Sequence, residues 1–147
     1  MKSVSVFLTV LALSFVCFES SAFDSTRPYE EVAVEINDQA FLLGEALEAP
    51  NYVAARETMD VLFDLFKEEI KLTKKVIHDL ERNDEEDRAA QMQESLDRKE
   101  EIHEQLHAML DSSRAGLRAK ATQVQVLVDE YVSLLTTSQE ELISSNN

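Results

Sequence analysis

Residues 103–107 read His-Glu-Gln-Leu-His, the H-E-x-x-H spelling that zinc peptidases carry on a helix. The spacing allows a definite chemistry: two imidazoles one turn apart reach a single ion, and Glu104 between them polarises a metal-bound water. A catalytic zinc also needs a third protein ligand. The extended pattern that supplies one is broken, because Leu110 stands at its glycine and Ser113 at its third histidine. Glu130 is the nearest downstream glutamate able to substitute. A peptidase further requires a strand edge on which to lay its substrate, and no segment of this chain is marked clearly as a strand. The motif therefore favours a structural role. His103 falls at a helix-packing position, and His107 sits one turn before Asp111, an i,i+4 pair. No catalytic residue is assigned and no enzyme activity is expected.

A non-catalytic metal site is the intermediate reading. If Asn83–Asp84 is a tight turn between antiparallel helices, residues equidistant from it stand level. His103 then pairs with Asp64 and His107 with Asp60, a set chemically acceptable to zinc or copper. Against it, Asp60 and Asp64 share a helix face with Lys67 and Lys71, the pattern of a solvated surface. No resident cofactor is expected; zinc at His103, His107, Asp60 and Asp64 is the minority reading.

Other candidates are weaker. Glu100-x-x-His103 and Glu104-x-x-His107 spell the unit of di-iron bundles, but both copies lie on one helix, where such sites need two. The run "NDEED" (83–87) lacks the alternating ligands and central glycine of a calcium loop. No glycine-rich phosphate loop is present.

These residues must be held by elements, and the elements read as helical. Two glycines, two prolines and long stretches of Glu, Gln, Ala, Leu and Lys indicate an all-α chain. After Pro28, Val32, Ile36, Ala40, Leu43 and Leu47 form one apolar stripe, which Pro50 terminates. Asn51 is placed to cap a second helix. Its stripe runs Tyr52, Ala55, Met59, Leu62, Phe66, Ile70, Thr73, Ile77 and Leu80, widened by Phe63 and Val76. Asn83 or Asp84 is then expected to cap a third helix.

From Met92 an alternating four-three seam passes through Leu96, Lys99, His103, Leu106 and Leu110. It continues through Ser113, Leu117, Lys120, Val124, Leu127, Tyr131 and Leu134, a coiled-coil-like pattern with polar interruptions. Unbroken over 85–136 it would make a rod roughly 75 Å long beside a second helix of roughly 45 Å. A fold-back at 111–113 gives comparable lengths instead. The expectation is an antiparallel bundle of three to four amphipathic helices. The strict alternation in Val32-Val34-Ile36 and Val124-Val126-Val128 is the one signal for strands, though neither run is bounded by turn residues.

The two ends and the charge bound the function. Lys2, an apolar run from Val4 to Phe18, and Ser20-Ser21-Ala22 spell a secretory leader over residues 1–22, too short to span a membrane. The bundle domain is expected over 23–136 and a polar, fraying tail over 137–147. Cleavage before Phe23 would remove Cys17, the only cysteine, and leave an extracellular chain free of disulfides. It would also remove Lys2 and Glu19 together, so the net charge stays at −15. That charge disfavours nucleic acid and anionic lipid surfaces and favours cationic partners. From Ser112 onward the chain is nearly neutral and rich in Val and Leu, suiting a buried or partner-facing helix. The leading expectation is a secreted acidic protein that acts by binding another protein or itself. A carrier of lipid or a small apolar ligand, in the manner of exchangeable helical lipid carriers, is the alternative.

Overall fold

The computed structural model describes residues 27–110 and 113–145, with side chains described over 27–110 and 116–135. The expected leader, Cys17, Asp111 and Ser112 lie outside the described residues. Four helices pack against one another: α1 (Tyr29–Glu48), α2 (Tyr52–Arg82), α3 (Glu86–Leu110) and α4 (Ser113–Ser145). Each helix packs on its sequence neighbour, α4 returns to α1, and α2 also meets α4 across the bundle. Short connections between packed neighbours force an antiparallel, up-and-down path. Among the described residues the architecture is all-α with four helices, and α3 and α4 pack side by side as two elements rather than running as one rod.

Local chemistry explains the boundaries. Pro28 is extended (φ −64°, ψ 148°) and its carbonyl accepts from Glu31 N–H at 3.1 Å, starting α1 with Glu30 and Glu31 in the first turn. Acids there complement the positive end of the helix dipole. Arg27 pins this start to α2, with Nη1 2.7 Å from Glu35 and Nη2 2.7 Å from Glu68. At the other end Pro50 prevents continuation. Asn51 then caps α2 as its type suggests, accepting from Ala54 N–H at 3.2 Å.

The α2–α3 turn differs from expectation. Asp84 does not cap α3; it closes α2 in the left-handed region (φ 59°). Its N–H donates to Glu81 O at 3.3 Å and Glu85 N–H donates to Leu80 O at 3.0 Å, the paired bonds of a Schellman ending. Glycine is the usual occupant of that position, and aspartate is among the few others that tolerate it.

The apolar stripes meet as read. Val32, Ile36 and Leu43 of α1, Ala55, Met59, Leu62 and Phe66 of α2, Ile102, Leu106 and Leu110 of α3, and Leu117, Val124, Val128 and Tyr131 of α4 are all buried in one core. Burying a side chain of this kind contributes about 1.5–3 kcal/mol. A second, smaller core of Ile77, Leu80, Ala89, Met92 and Leu96 lies beside the α2–α3 turn. In α4 the seam shifts after the break: Lys120 is exposed while Val128 and Leu135 are buried.

The two alternating runs are helical, not strands. Their middle valines are surplus to the core: Val34 is 57 % and Val126 59 % exposed. The helix α4 also continues to Ser145, through the stretch read as a fraying tail. Gln139, Glu140, Glu141 and Leu142 all have high helix propensity, which accounts for the extension. No helix among the described residues is long and apolar enough to cross a membrane.

Candidate functional site

The HEQLH residues lie on α3 facing α2, and what faces them is aromatic. The His107 ring stacks on Phe63 at 4.0 Å between centroids. His103 meets Phe63 edge-on at 5.6 Å and Phe66 at 6.5 Å. The two imidazoles stand 4.7 Å apart, nearly perpendicular. His103 Nε2 is buried and has no hydrogen-bond partner. Burial pushes the His103 imidazole below its ordinary range; His107 and Lys67 add to this, and Glu100 partly opposes it. The pair is thus an aromatic-facing contact between α2 and α3, in which burial favours the neutral form of His103.

The carboxylates expected to join them point elsewhere. Asp60 is 60 % exposed and pairs with Arg56 at 3.3 Å. Asp64 is 86 % exposed with Lys67 at 3.8 Å. Each lies one residue past a core position, Met59 or Phe63, and one residue turns a helix by about 100°. Equal distance from the turn places His103 level with Asp64 as read, but the rotation of α2 presents Phe63 instead. Glu130, the downstream substitute for a third zinc ligand, is held by Arg98 through bonds of 2.6 and 2.9 Å from α3 to α4. Those two hydrogen bonds from Arg98 draw the Glu130 carboxyl below its ordinary range. Among the described residues no three of His, Cys, Asp and Glu converge as a metal site. Asp111, the surface partner proposed for His107, lies outside them.

A second cluster was not assembled from the sequence. Glu69 on α2 and Lys99 on α3 are both fully buried, with Lys99 Nζ 2.7 Å from Glu69 Oε1. Thr73 Oγ1 donates to the same oxygen at 2.8 Å, and Tyr131 OH of α4 donates to Oε2 at 2.7 Å. Burial and the Glu69 charge hold the Tyr131 phenol far above its ordinary range, so it remains a neutral donor. Tyr131 also stacks on Phe66 at 3.9 Å. Three helices thus share one polar layer, set between the large core and the small one. Lys99 and Tyr131 were visible as polar members of the seam. Glu69 was not, since one glutamate among many carries no mark. The cluster has the build of a structural device, in which every donor points at a carboxylate.

The third feature is a surface groove where α1 and α4 lie side by side. Phe41, Gly44, Glu45 and Glu48 line it from α1, and Gln125 and Asp129 from α4. It joins a second hollow that shares Gly44, Glu48, Gln125 and Asp129 and adds Val126. Comparisons with family models, curated proteins and solved structures each find no match at a significant level. The site must therefore be read from its own chemistry.

Proposed function

We propose that this chain is an exported acidic helical protein whose work is binding another protein, with α1 and α4 as its contact helices. One observation carries the reading. Large apolar side chains stay in water on these helices, with Phe41 67 %, Val34 57 %, Leu42 47 % and Val126 59 % exposed. The core is filled without them, so folding alone does not account for their type. Val53 and Val61 of α2 are exposed as well, but Phe41 and Val126 line adjoining hollows between α1 and α4, and apolar groups gathered on a charged surface mark an interaction face. Export rests on the leader-like residues Lys2, Val4–Phe18 and Ser20-Ser21-Ala22.

Two measurements test it. Expression in secreting cells, with the mature terminus sequenced, is expected to find Phe23 or a close neighbour at the start. Sedimentation across a wide concentration range, together with crosslinking in the native extracellular fluid, is expected to reveal either a dimer or a stoichiometric partner. A chain that stays monomeric throughout and crosslinks to nothing in fixed ratio would refute the binding role.

A further inference from the structure

We infer that the α1–α4 groove docks a cationic amphipathic helix of a partner protein; this rests on the binding role proposed above and names its surface. The lining has one sign of charge. Glu45, Glu48 and Asp129 supply three carboxylates, and no lysine or arginine lines either hollow. Neither Glu45 nor Glu48 has a cationic partner among the described residues. By contrast, Arg27, Arg56 and Arg98 elsewhere on the bundle are each taken up by acids of the chain itself.

A second observation points into the same place. Gln125 Nε2 donates to Asp129 at 2.7 Å, which turns Gln125 Oε1 the other way. That oxygen is buried and has no donor. An unpaired buried acceptor is costly, and a turn of the Gln125 side chain towards the groove lets a donor from outside remove that cost. A guanidinium or ammonium group meets this need and the acidic rim together.

The floor fits the same occupant. Gly44 sits inside α1, where glycine is less favourable than alanine. The three atoms nearest to a Cβ built there all belong to Gln125, the closest at an ordinary 3.6 Å, so that contact does not require glycine. Its effect is to leave the Gln125 side chain room to shift beside an approaching group. Phe41 and Val126 flank the opening as apolar contacts, and an aromatic face beside a cation is itself attractive. Parallel helix ridges accept a helix along their groove, anchored at three- and four-residue spacing. A second copy of this chain is the poorer occupant, because its net charge of −15 would be brought against the same rim.

The test uses the mature chain and a synthetic Leu/Arg amphipathic helix of about five turns, titrated by fluorescence anisotropy. Glu45→Lys/Glu48→Lys is compared with Asp64→Lys/Glu94→Lys, which makes the same change of net charge on α2 and α3. All four positions are exposed, and circular dichroism verifies folding of each variant. The groove reversal is expected to weaken binding about tenfold or more, since like charges set against each other cost more than the 1.4 kcal/mol that tenfold represents. Phe41→Ser is expected to weaken it in the same direction, and the control reversal to leave it within about twofold. Equal losses from both reversals would show diffuse attraction to an acidic protein and overturn the groove, leaving the binding role standing. No binding by the unaltered chain would overturn the cationic helix, and sedimentation would then judge the binding role separately. A dimer abolished by Phe41→Ser would assign the groove to a second copy and overturn the inference too.

Discussion

Lys99→Met is the most informative single change, because it removes one charge from a fully buried pair. The substitution preserves length and most of the volume, so it opens little cavity. What it removes is the ammonium 2.7 Å from Glu69 Oε1, with both side chains fully buried. Glu69 keeps the hydroxyls of Thr73 and Tyr131 at 2.8 and 2.7 Å, but neither carries charge. Breaking a buried pair from one side costs about 3–5 kcal/mol, because the remaining charge is left uncompensated. Domains of this kind have a total stability of about 5–15 kcal/mol. At roughly 3–5 °C per kcal/mol for a chain this size, melting is expected to fall by roughly 10–20 °C. Urea titration followed by far-ultraviolet circular dichroism measures the loss directly. Glu69→Met/Lys99→Met/Tyr131→Phe, which leaves no charge behind, is expected to recover most of it. If Lys99→Met costs less than about 1 kcal/mol, in the range of exposed pairs, the reasoning fails. It fails as well if the triple variant is less stable than the single one.

Three further outcomes follow from geometry already described. Asp84→Gly relaxes a left-handed residue at the end of α2 and is expected to raise stability by about 0.5–1 kcal/mol in the same titration. His103 is held below its ordinary range by burial, then by His107 and Lys67. Its neutral form therefore stabilises the fold above the unfolded value, and this contribution is lost as pH falls, when the unfolded chain binds a proton that the folded chain refuses. The unaltered protein should lose more stability between pH 7.5 and pH 5.5 than His103→Leu does, and equal losses would contradict the assignment. Finally, calorimetric titration of zinc is expected to give the same weak binding for the unaltered chain and for His103→Ala/His107→Ala. The Phe63 stacking, the Asp60–Arg56 pair and the Glu130–Arg98 pair occupy the groups a tight site would use. One-site binding that the double variant abolishes would restore the metal reading.

Helix punctuation and stripes were legible because they depend on neighbours in the chain. Pro50 stops α1 and Asn51 caps α2 for reasons contained within a few residues. Level across the α2–α3 turn was legible to about one residue: a midpoint between Asn83 and Asp84 sets Lys99 level with Glu68, and it meets Glu69. Facing was not. Whether α2 presents Phe63 or Asp64 to His103 depends on its rotation about its own axis, which is fixed by packing against three helices at once. Asp84 was read as a cap for α3 because aspartate suits both an N-cap and a left-handed ending, and residue type alone does not separate them. The alternation at Val34 and Val126 was a true signal given the wrong cause. It marks helices with more apolar residues than the core takes up, and these are the two helices that line the groove.

The buried layer of Glu69, Lys99 and Tyr131 also constrains how the helices can be aligned lengthwise. Leucines and valines in neighbouring layers are nearly interchangeable, so an all-apolar bundle tolerates sliding of one helix past another by a turn. Here a slide of α3 by one turn, about 5.4 Å, would carry the ammonium out of reach of its carboxylate and strand both in hydrocarbon. The layer acts as a detent: it penalises every slipped alignment and leaves the correct one alone. Because Tyr131 engages the same carboxylate from α4, that helix is indexed to the same mark. The longitudinal position of Gln125 and Asp129 relative to α2 and α3 is thereby set by an ion pair on the far side of the core.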